Sequence, residues 1–304
     1  MLDTYCTGTV RRQSPEAPVE VLDWENRMDR AGGAANVALN IVGLGGQAQL
    51  TGWIGKDPEG NIIRDLLQQN NIADSGLMEL QDYPTTHKTR YLHGSRHLLR
   101  VDHESRIKAS EELMARQFEV LGKVLNGCQA VVLQDYEKGY FNPLNIPMIL
   151  SLCKENKVPV AVDPKRDQFW LFQGVDLFKP NLKELSEALG RKISLEGDDL
   201  QKACLETRDR LGCRILMVTL GDQGIAVLDE HGFFRLDGHP RNVVDVCGAG
   251  DSVIAAATCC LALGLGSNDI AALANLCGGL ACERSGTHPV SLAQIQESLK
   301  HPSF

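Results

Sequence analysis

The chain has 304 residues, of which 43% are hydrophobic, 23% charged and 5% aromatic, a balance that excludes a disordered chain and a disulfide-stapled miniprotein. At roughly 150 residues per domain, the length allows two domains or one large α/β domain with an attachment. The 31 Lys and Arg against 39 Asp and Glu give a net charge of -8, which argues against a nucleic-acid partner, whose phosphates need a basic face, and for small-molecule work.

The N-terminal MLDTYCTGTVRR lacks the apolar core of a secretory signal. SPEAPVEVLDWENRMDRAGG then runs from a Pro-bracketed extended piece to the double glycine Gly32-Gly33, and a helix follows. GLGGQA, Gly43 to Ala48, fits G-x-G-x-x-A only nominally, because it follows a helix and precedes a strand. That reverses the dinucleotide-binding context, and helix C-cap glycines explain it better. HKTRYLHGSRHLLRVD, His87 to Asp102, reads as two strands around Gly94-Ser95. These β pieces, within about 5–30 and 85–103, predict a small sheet beside the main one. With no linker, low-complexity tract or repeat, the expectation is a single domain over 1–304 carrying a β lid.

From Gly127 onward, apolar β-branched runs alternate with helical patterns. Ala130 to Leu133, Val158 to Val162 and Arg214 to Leu220 are continuous rather than alternating, as strands covered on both faces should be. Helices are expected near Pro143 to Asn156, Glu184 to Leu189 and Gly197 to Leu211. The pattern predicts an α/β fold with a doubly wound, mostly parallel sheet. Gly224 to Leu236 reads as an antiparallel hairpin around His231-Gly232 at one edge. Three closing helices are expected at about Ala249 to Leu263, Asn268 to Ser285 and Ser291 to Lys300. The longest apolar run, Val253 to Leu265, is too short to cross a bilayer, so no membrane partner is expected. The 10 cysteines form no C-x-x-C pair and read as reduced core thiols in a cytoplasmic setting. His87, His93, His97 and His103 show no metal-ligand spacing.

DVCGAGD, Asp245 to Asp251, is the strongest local motif. Gly248, Ala249 and Gly250 would present consecutive backbone N–H groups at a helix N-terminus, a cradle for an anion. Asp251 in the first turn is placed either to cap that helix or to take a proton from a hydroxyl beside a bound phosphoryl group. G-x-x-x-x-G-K-[ST] is absent, so this is not a P-loop. Asp135 with Lys138, and Asp163 with Lys165, follow the C-terminal ends of predicted parallel strands, where ligands gather in open α/β sheets. Turn-forming Asp residues would explain the carboxylates but not the repeated Asp and Lys pairing. Lys88, Arg90 and Arg100 lie on the predicted β pieces, either as a wet basic face or as anion ligands.

AGGAANVALNIVGLG, Ala31 to Gly45, with TGWIGKDPEGN after it, resembles the N-terminal signature of ribokinase-like (pfkB-type) carbohydrate kinases, and DVCGAGD resembles their C-terminal one. PNLKE, Pro180 to Glu184, and VTLGDQG, Val218 to Gly224, extend the likeness over nearly the whole chain in order. SPEAPVEV, QDYEKG and VDPKRDQF narrow it to the D-glycero-β-D-manno-heptose 7-phosphate kinases. The resemblance implies an ATP- and Mg²⁺-dependent kinase acting on the C1 hydroxyl of that sugar phosphate, and the exposed edges of the β pieces lead to the expectation of a homodimer through the lid. The resemblance makes Asp251 the base and Gly248, Ala249 and Gly250 the anion hole. Asp3, Gly32, Gly33 and Asn36 would meet the sugar, and Lys88, Arg90 and Arg100 its 7-phosphate, with Asp135, Lys138, Asp163 and Lys165 completing the substrate site.

By the same resemblance, Asn181 and Glu184 organise Mg²⁺ and the ATP phosphates through water, although a helix capping pair accounts for the same spacing. Thr219, Gly221 and Gly224 would border the nucleotide, where a glycine hairpin is the alternative, and Asn275 the adenine. Asp245 would order the anion-hole loop, with a monovalent cation in some relatives. Cys247 departs from the Thr that relatives often carry. Relatives also have a strand ending in Gly-Asp where this chain begins at Asp3, so the first core strand is expected to be late-called or absent. No H-x-G-H element follows the last helix, so the chain is not expected to make ADP-heptose itself.

Overall fold

A computed structural model describes residues 1–238 and 242–300. In chain order the elements are β1 (Leu2–Gln13), β2 (Glu20–Ala31), α1 (Ala34–Gly43), β3 (Gln49–Gly55), α2 (Pro58–Gln69), β4 (Ala73–Leu80), β5 (His87–His93), β6 (Arg96–His103) and α3 (Glu111–Leu125). There follow β7 (Val131–Gln134), α4 (Asn145–Glu155), β8 (Val160–Asp163), β9 (Leu177–Phe178), α5 (Leu182–Leu189), α6 (Asp199–Leu211) and β10 (Ile215–Thr219). The last are β11 (Ile225–Leu228), β12 (Phe233–Leu236), α7 (Ala249–Ala262), α8 (Ser267–Ala281) and α9 (Leu292–Lys300).

The main sheet has the order β12-β11-β10-β9-β8-β7. Strands β7 to β10 run parallel, and β11 and β12 add an antiparallel edge. The continuous apolar runs are explained by two cores, one on each face. Val160, Val162 and Phe178 point into a cluster with Phe169, Phe172 and Leu211. Their neighbours Ala161 and Leu177 point the other way, against Ile254, Ala257 and Ala274 of α7 and α8. The small residues of α7 bring that helix close to the sheet, and its N-terminus sits at the carboxyl end of the parallel strands. GLGGQA closes α1, with Gly45 in the left-handed region at φ 83°.

Strands β2-β1-β5-β6 form a separate four-stranded lid sheet. Its register places Asp3, Tyr5, Lys88 and Arg90 on one face and Trp24, Tyr91, Leu99 and Val101 on the other. Asp3 therefore belongs to a lid strand rather than to the end of a core strand. Among the described residues, no strand joins β7 to the two-stranded β3–β4 pair. Between β3 and β7 lies a cavity of about 910 Å³, lined by Leu50 and Ile54 of β3, Val131 and Leu133 of β7, Ile41 of α1 and Leu125 of α3. Met1 stands at its margin, and burial lowers the pKa of its amino group to about 6.

The edges of β3 and β7 that face this cavity carry no ladder hydrogen bonds, so their amides should exchange with solvent well before those of β8 and β10, which pair on both sides. Hydrogen exchange read by mass spectrometry tests this; equal protection of β7 and β10 would contradict it.

Candidate active site

The site is assembled where α7 meets α1 and the ends of β7 and β8. Gly248 caps α7 with φ 81°, and a Cβ there would stand 3.0 Å from Asn36 Nδ2, so glycine answers both the backbone angle and the close approach. The preceding loop is folded by Asp245, whose Oδ1 accepts from Cys247 N at 3.0 Å and whose Oδ2 accepts from Gly286 N at 2.8 Å. Of the early N–H groups of α7, that of Ala249 donates to Val246 O at 3.3 Å, while those of Gly250 and Asp251 have no acceptor within the helix, which makes this end attractive to an anion. The Cys247 thiol is pushed up to about 11, by burial first and then by Asp245, so it stays neutral.

Asp251 is buried and shared among three elements. Its Oδ2 accepts from Asn36 Nδ2 at 2.8 Å. Its Oδ1 accepts from the Tyr136 hydroxyl at 2.8 Å and faces Gln134 Nε2 at 3.4 Å. Burial raises its pKa to about 6, opposed by the Asn36 and Tyr136 hydrogen bonds. Gln134 also donates to Asp163 Oδ2 at 2.8 Å, and Asp163 Oδ1 lies 3.0 Å from Lys179 Nζ in a pair almost wholly removed from solvent. Lys179 Nζ is 3.8 Å from where a Cβ on Gly250 would stand, so one buried cation stands beside the glycine loop. The arrangement unites a carboxylate able to take a proton, a row of backbone donors and a fixed positive charge.

The other predicted residues group around this centre. Asp135 Oδ1 accepts from Glu137 N at 2.7 Å, while its buried Oδ2 has no protein partner among the described residues; burial lifts its pKa to about 6. Lys138 pairs with Glu104 at 2.6 Å. Lys165 pairs with Glu184; burial works against its charge, but Asp163 and Glu184 hold it above the ordinary lysine value. Asn181 and Glu184 form a reciprocal capping box at the start of α5, each side chain accepting from the other's backbone N–H at 2.8 Å. The helix-capping alternative is thus realised, and it fixes the Glu184 carboxylate at the strand ends.

Thr219 ends β10, Gly221 opens a tight turn and Gly224, just before β11, stands where a Cβ would overlap the Leu236 carbonyl. Asn275 Nδ2 donates to Asp237 O at 2.8 Å. On the inner face of the lid, Arg90 pairs with Asp3 at 2.7 Å, both buried, and a Cβ on Gly32 would collide with the Asp3 carboxylate. Gly33, the cap of α1 at φ 58°, lies against the Tyr136 ring. The three lid cations do not form one open cluster. Lys88 pairs with Asp102 at 2.8 Å and Glu104 at 3.1 Å, and Arg100, on β6 and exposed, pairs with Asp102 at 2.9 Å.

Three residues of the centre escape the sequence reading: Gln134, Tyr136 and Lys179. Gln134 and Tyr136 lie inside QDYEKG, where Asp135 and Lys138 draw attention. Lys179 carries one signal, a charge wedged between the apolar LF and the Pro180 that opens PNLKE.

Comparison with known proteins gives a consistent picture. The model of the pfkB family of carbohydrate kinases matches residues 4–293. The bifunctional protein HldE of Methylobacillus flagellatus is 36% identical over 302 residues, covering 99% of this chain and 62% of the relative. That of Koribacter versatilis is 36% identical over 300 residues, covering 98% and 61%. The chain therefore spans about three fifths of the length of these relatives. Among solved structures, phosphofructokinase-2 from Escherichia coli in complex with potassium superposes with a TM-score of 0.80 at 22% identity, covering 97% of this chain and 94% of that one. Arabidopsis thaliana ribokinase complexed with ribose and ATP gives 0.76 at 20% identity, with 98% and 96% covered. The fold is ribokinase-like.

With the Asp251 carboxyl raised to about 6 by burial, catalysis that needs its ionised form should fall as pH drops through about 6, while stability moves the other way. The proton-linked stabilisation from a raised carboxyl is full below its ordinary value of 3.8 and lost as pH rises through about 6. A kcat/KM profile measured alongside melting temperature checks both signs; a kcat/KM unchanged down to about pH 5 would contradict the first.

Proposed function

The chain belongs to the pfkB family of carbohydrate kinases, and from that membership we propose that it transfers the γ-phosphoryl group of ATP to the C1 hydroxyl of D-glycero-β-D-manno-heptose 7-phosphate. The product would be the 1,7-bisphosphate, on a cytoplasmic route to ADP-heptose and the lipopolysaccharide core. The observation that carries the reading is the buried Asp251 carboxylate at the N-terminus of α7, in a chain 36% identical over nearly its full length to a protein named HldE. SPEAPV and DPK support the heptose within that family.

In this reading the C1 O–H gives its proton to Asp251 as its oxygen bonds to phosphorus and the bond to ADP breaks. The N–H groups of Gly248, Ala249, Gly250 and Asp251, with Lys179, meet the charge spread over the transferring group. Asp3, Gly32, Gly33 and Asn36 hold the sugar, and Lys165, Asp163, Asp135 and Lys138 border it. Asn181, Glu184, Thr219, Gly221, Gly224 and Asn275 receive the nucleotide. The described residues contain no cluster of three acidic, His or Cys side chains, but a Glu184 carboxylate fixed by Asn181 suits hydrogen bonding to metal-bound water, the manner in which Mg²⁺ is commonly held. Mg²⁺ there would neutralise phosphate charge. Asp245, with both oxygens already accepting N–H groups, orders the loop and would border a monovalent cation. The domain is a single kinase unit whose lid covers the sugar.

The remote phosphate is assigned to Lys88 and Arg90, with Arg100 at the rim. A hydrogen bond to a charged group is worth about 1.5 to 3 kcal/mol, or roughly ten- to a hundredfold, so the 7-phosphate should be preferred to the free heptose in kcat/KM by up to that factor, less what Lys88 and Arg90 lose in parting from their carboxylates. Lys88→Met should erode the preference while sparing turnover of the free sugar. Equal turnover of ribose, fructose or adenosine would leave a pfkB kinase of another substrate.

The outer lid face exposes Trp24 (65%), Leu99 (58%) and Val101 (48%), and a second copy pairing through it would give the proposed homodimer. Light scattering should read a dimer for the native chain and a monomer for Trp24→Asp; a native monomer at micromolar concentration would reject the lid contact.

A further inference from the structure

Tyr136 is fixed by a locked loop and spends its hydroxyl on the one carboxylate that the proposed chemistry needs free. The residue after it, Glu137, is non-glycine at φ 55°. That strained backbone is held from three sides: Glu137 N donates to Asp135 Oδ1 at 2.7 Å, and its carboxylate accepts from Arg106 Nη2 at 3.0 Å and Asp167 N at 2.9 Å. The loop thereby aims the ring across Gly33, whose Cβ, if present, would lie 3.1 Å from Tyr136 Cε2. Lys165 Nζ stands 6.0 Å from the ring centroid. The ring thus lies between the glycine pair assigned to the sugar and Asp251 Oδ1. Burial and the nearby Asp251 and Asp163 carboxylates hold the phenol well above its ordinary pKa, so it remains a donor.

We propose that Tyr136 is a positioning residue that caps Asp251: its hydroxyl occupies the place on Oδ1 that the acceptor hydroxyl takes, and so denies the base to water until a sugar arrives. The proposal rests on Asp251 being the base. A carboxylate poised beside a γ-phosphoryl group serves any hydroxyl that reaches it. With water, one O–H bond breaks, its proton goes to Oδ1, the oxygen bonds to phosphorus, and ADP leaves with the electrons of the broken P–O bond; the yield is inorganic phosphate. A sugar brings binding energy from its other hydroxyls with which to displace the phenol, and water brings none. The ring has room to yield, because the cavity between β3 and β7 extends to Tyr136, Gln134 and Gly33.

The test compares Tyr136→Phe, Asp251→Asn, the double variant and Tyr140→Phe. Tyr140→Phe is a control that removes another buried phenol, bonded to Thr51 Oγ1 at 3.2 Å. The charged groups acting on Asp251 are Asp163 from β8 and Lys179 beyond β9. Neither is altered. Tyr136→Phe should raise ATP hydrolysis without sugar roughly tenfold, the scale of one hydrogen bond to a charge, and move the acid limb of sugar-dependent kcat/KM, which reports the sugar-free enzyme, up by about one pH unit, because a donor to the ionised form is lost. Tyr140→Phe should move neither, and the double variant should lose the extra hydrolysis. If Tyr136→Phe does not fold, 3-fluorotyrosine at position 136 gives the reading in reverse: its more acidic phenol should lower the limb. Unchanged hydrolysis or an unmoved limb overturns the cap. Turnover retained by Asp251→Asn instead overturns the base, and the two failures are thereby separated.

Discussion

Asn36 and Asp251 lie 215 residues apart in sequence and meet through one buried hydrogen bond of 2.8 Å. That bond joins the first turn of α1 to the first turn of α7, and most of the site's geometry depends on where those two helix ends stand. Both are capped by left-handed glycines, Gly33 and Gly248, so neither cap adds a side chain of its own to the junction. One turn further in, Asn40 repeats the tie: its Oδ1 accepts from Ser252 Oγ at 2.8 Å and from Val290 N at 3.0 Å. With two layers of polar contact between α1 and α7, the glycine loop is held against the lid's root rather than merely near it. A hydrogen bond to a charged, buried group is among the stronger ones, and losing either partner would leave the other desolvated without a mate.

Charge in this site is arranged as a chain of exchanges. Lys179 is balanced by Asp163, Lys165 by Glu184, Arg90 by Asp3, and Lys88 by Asp102 and Glu104. A phosphorylated ligand entering here trades one anionic partner for another, so its affinity reflects the difference between phosphate and carboxylate rather than a whole ion pair. The pairs at greater exposure, such as Arg100 with Asp102, are worth little by themselves. Asp135 is the exception, with one oxygen bound by its own loop and one without a protein partner among the described residues. Burial raises its pKa to about 6, and a ligand hydroxyl would satisfy the open oxygen.

The doubly wound sheet was legible because burial on both faces leaves continuous apolar runs: Ile215 to Thr219 falls within the run read as a strand, and Val160 to Asp163 runs one residue past the end of its run at Val162. The hairpin at His231-Gly232 and the capping pair Asn181 and Glu184 are local chemistry and needed no tertiary information. The lid was legible in kind but not in extent. Each of β1 and β2 is 12 residues long, and a polar, twisted hairpin with bulges carries no clean alternation to read. Leu177–Phe178 is a strand of 2 residues, too short for any period. Gln134, Tyr136 and Lys179 were missed for a different reason. Their importance lies in what they face, and a strand end says that a side chain enters the ligand crevice without saying which atom of which partner it meets.

The site's two demands pull against each other. A carboxylate that takes a proton near neutrality has to be buried enough for its pKa to climb, yet every donor that fixes its orientation pulls the pKa back down. Asp251 receives three such donors of unequal strength: Asn36 at 2.8 Å, Tyr136 at 2.8 Å and Gln134 at 3.4 Å. Asn36 and Gln134 serve other side chains as well: Asn36 Oδ1 accepts from Asn40 Nδ2 at 3.5 Å, and Gln134 Nε2 donates to Asp163, so removing either would loosen a second contact. Among the described residues the Tyr136 hydroxyl donates to Asp251 and otherwise meets Gln134. Its departure leaves the side-chain contacts of Asn36 with Asn40 and of Gln134 with Asp163 in place, and it frees an acceptor site on Oδ1 where the proposed reaction brings the sugar hydroxyl.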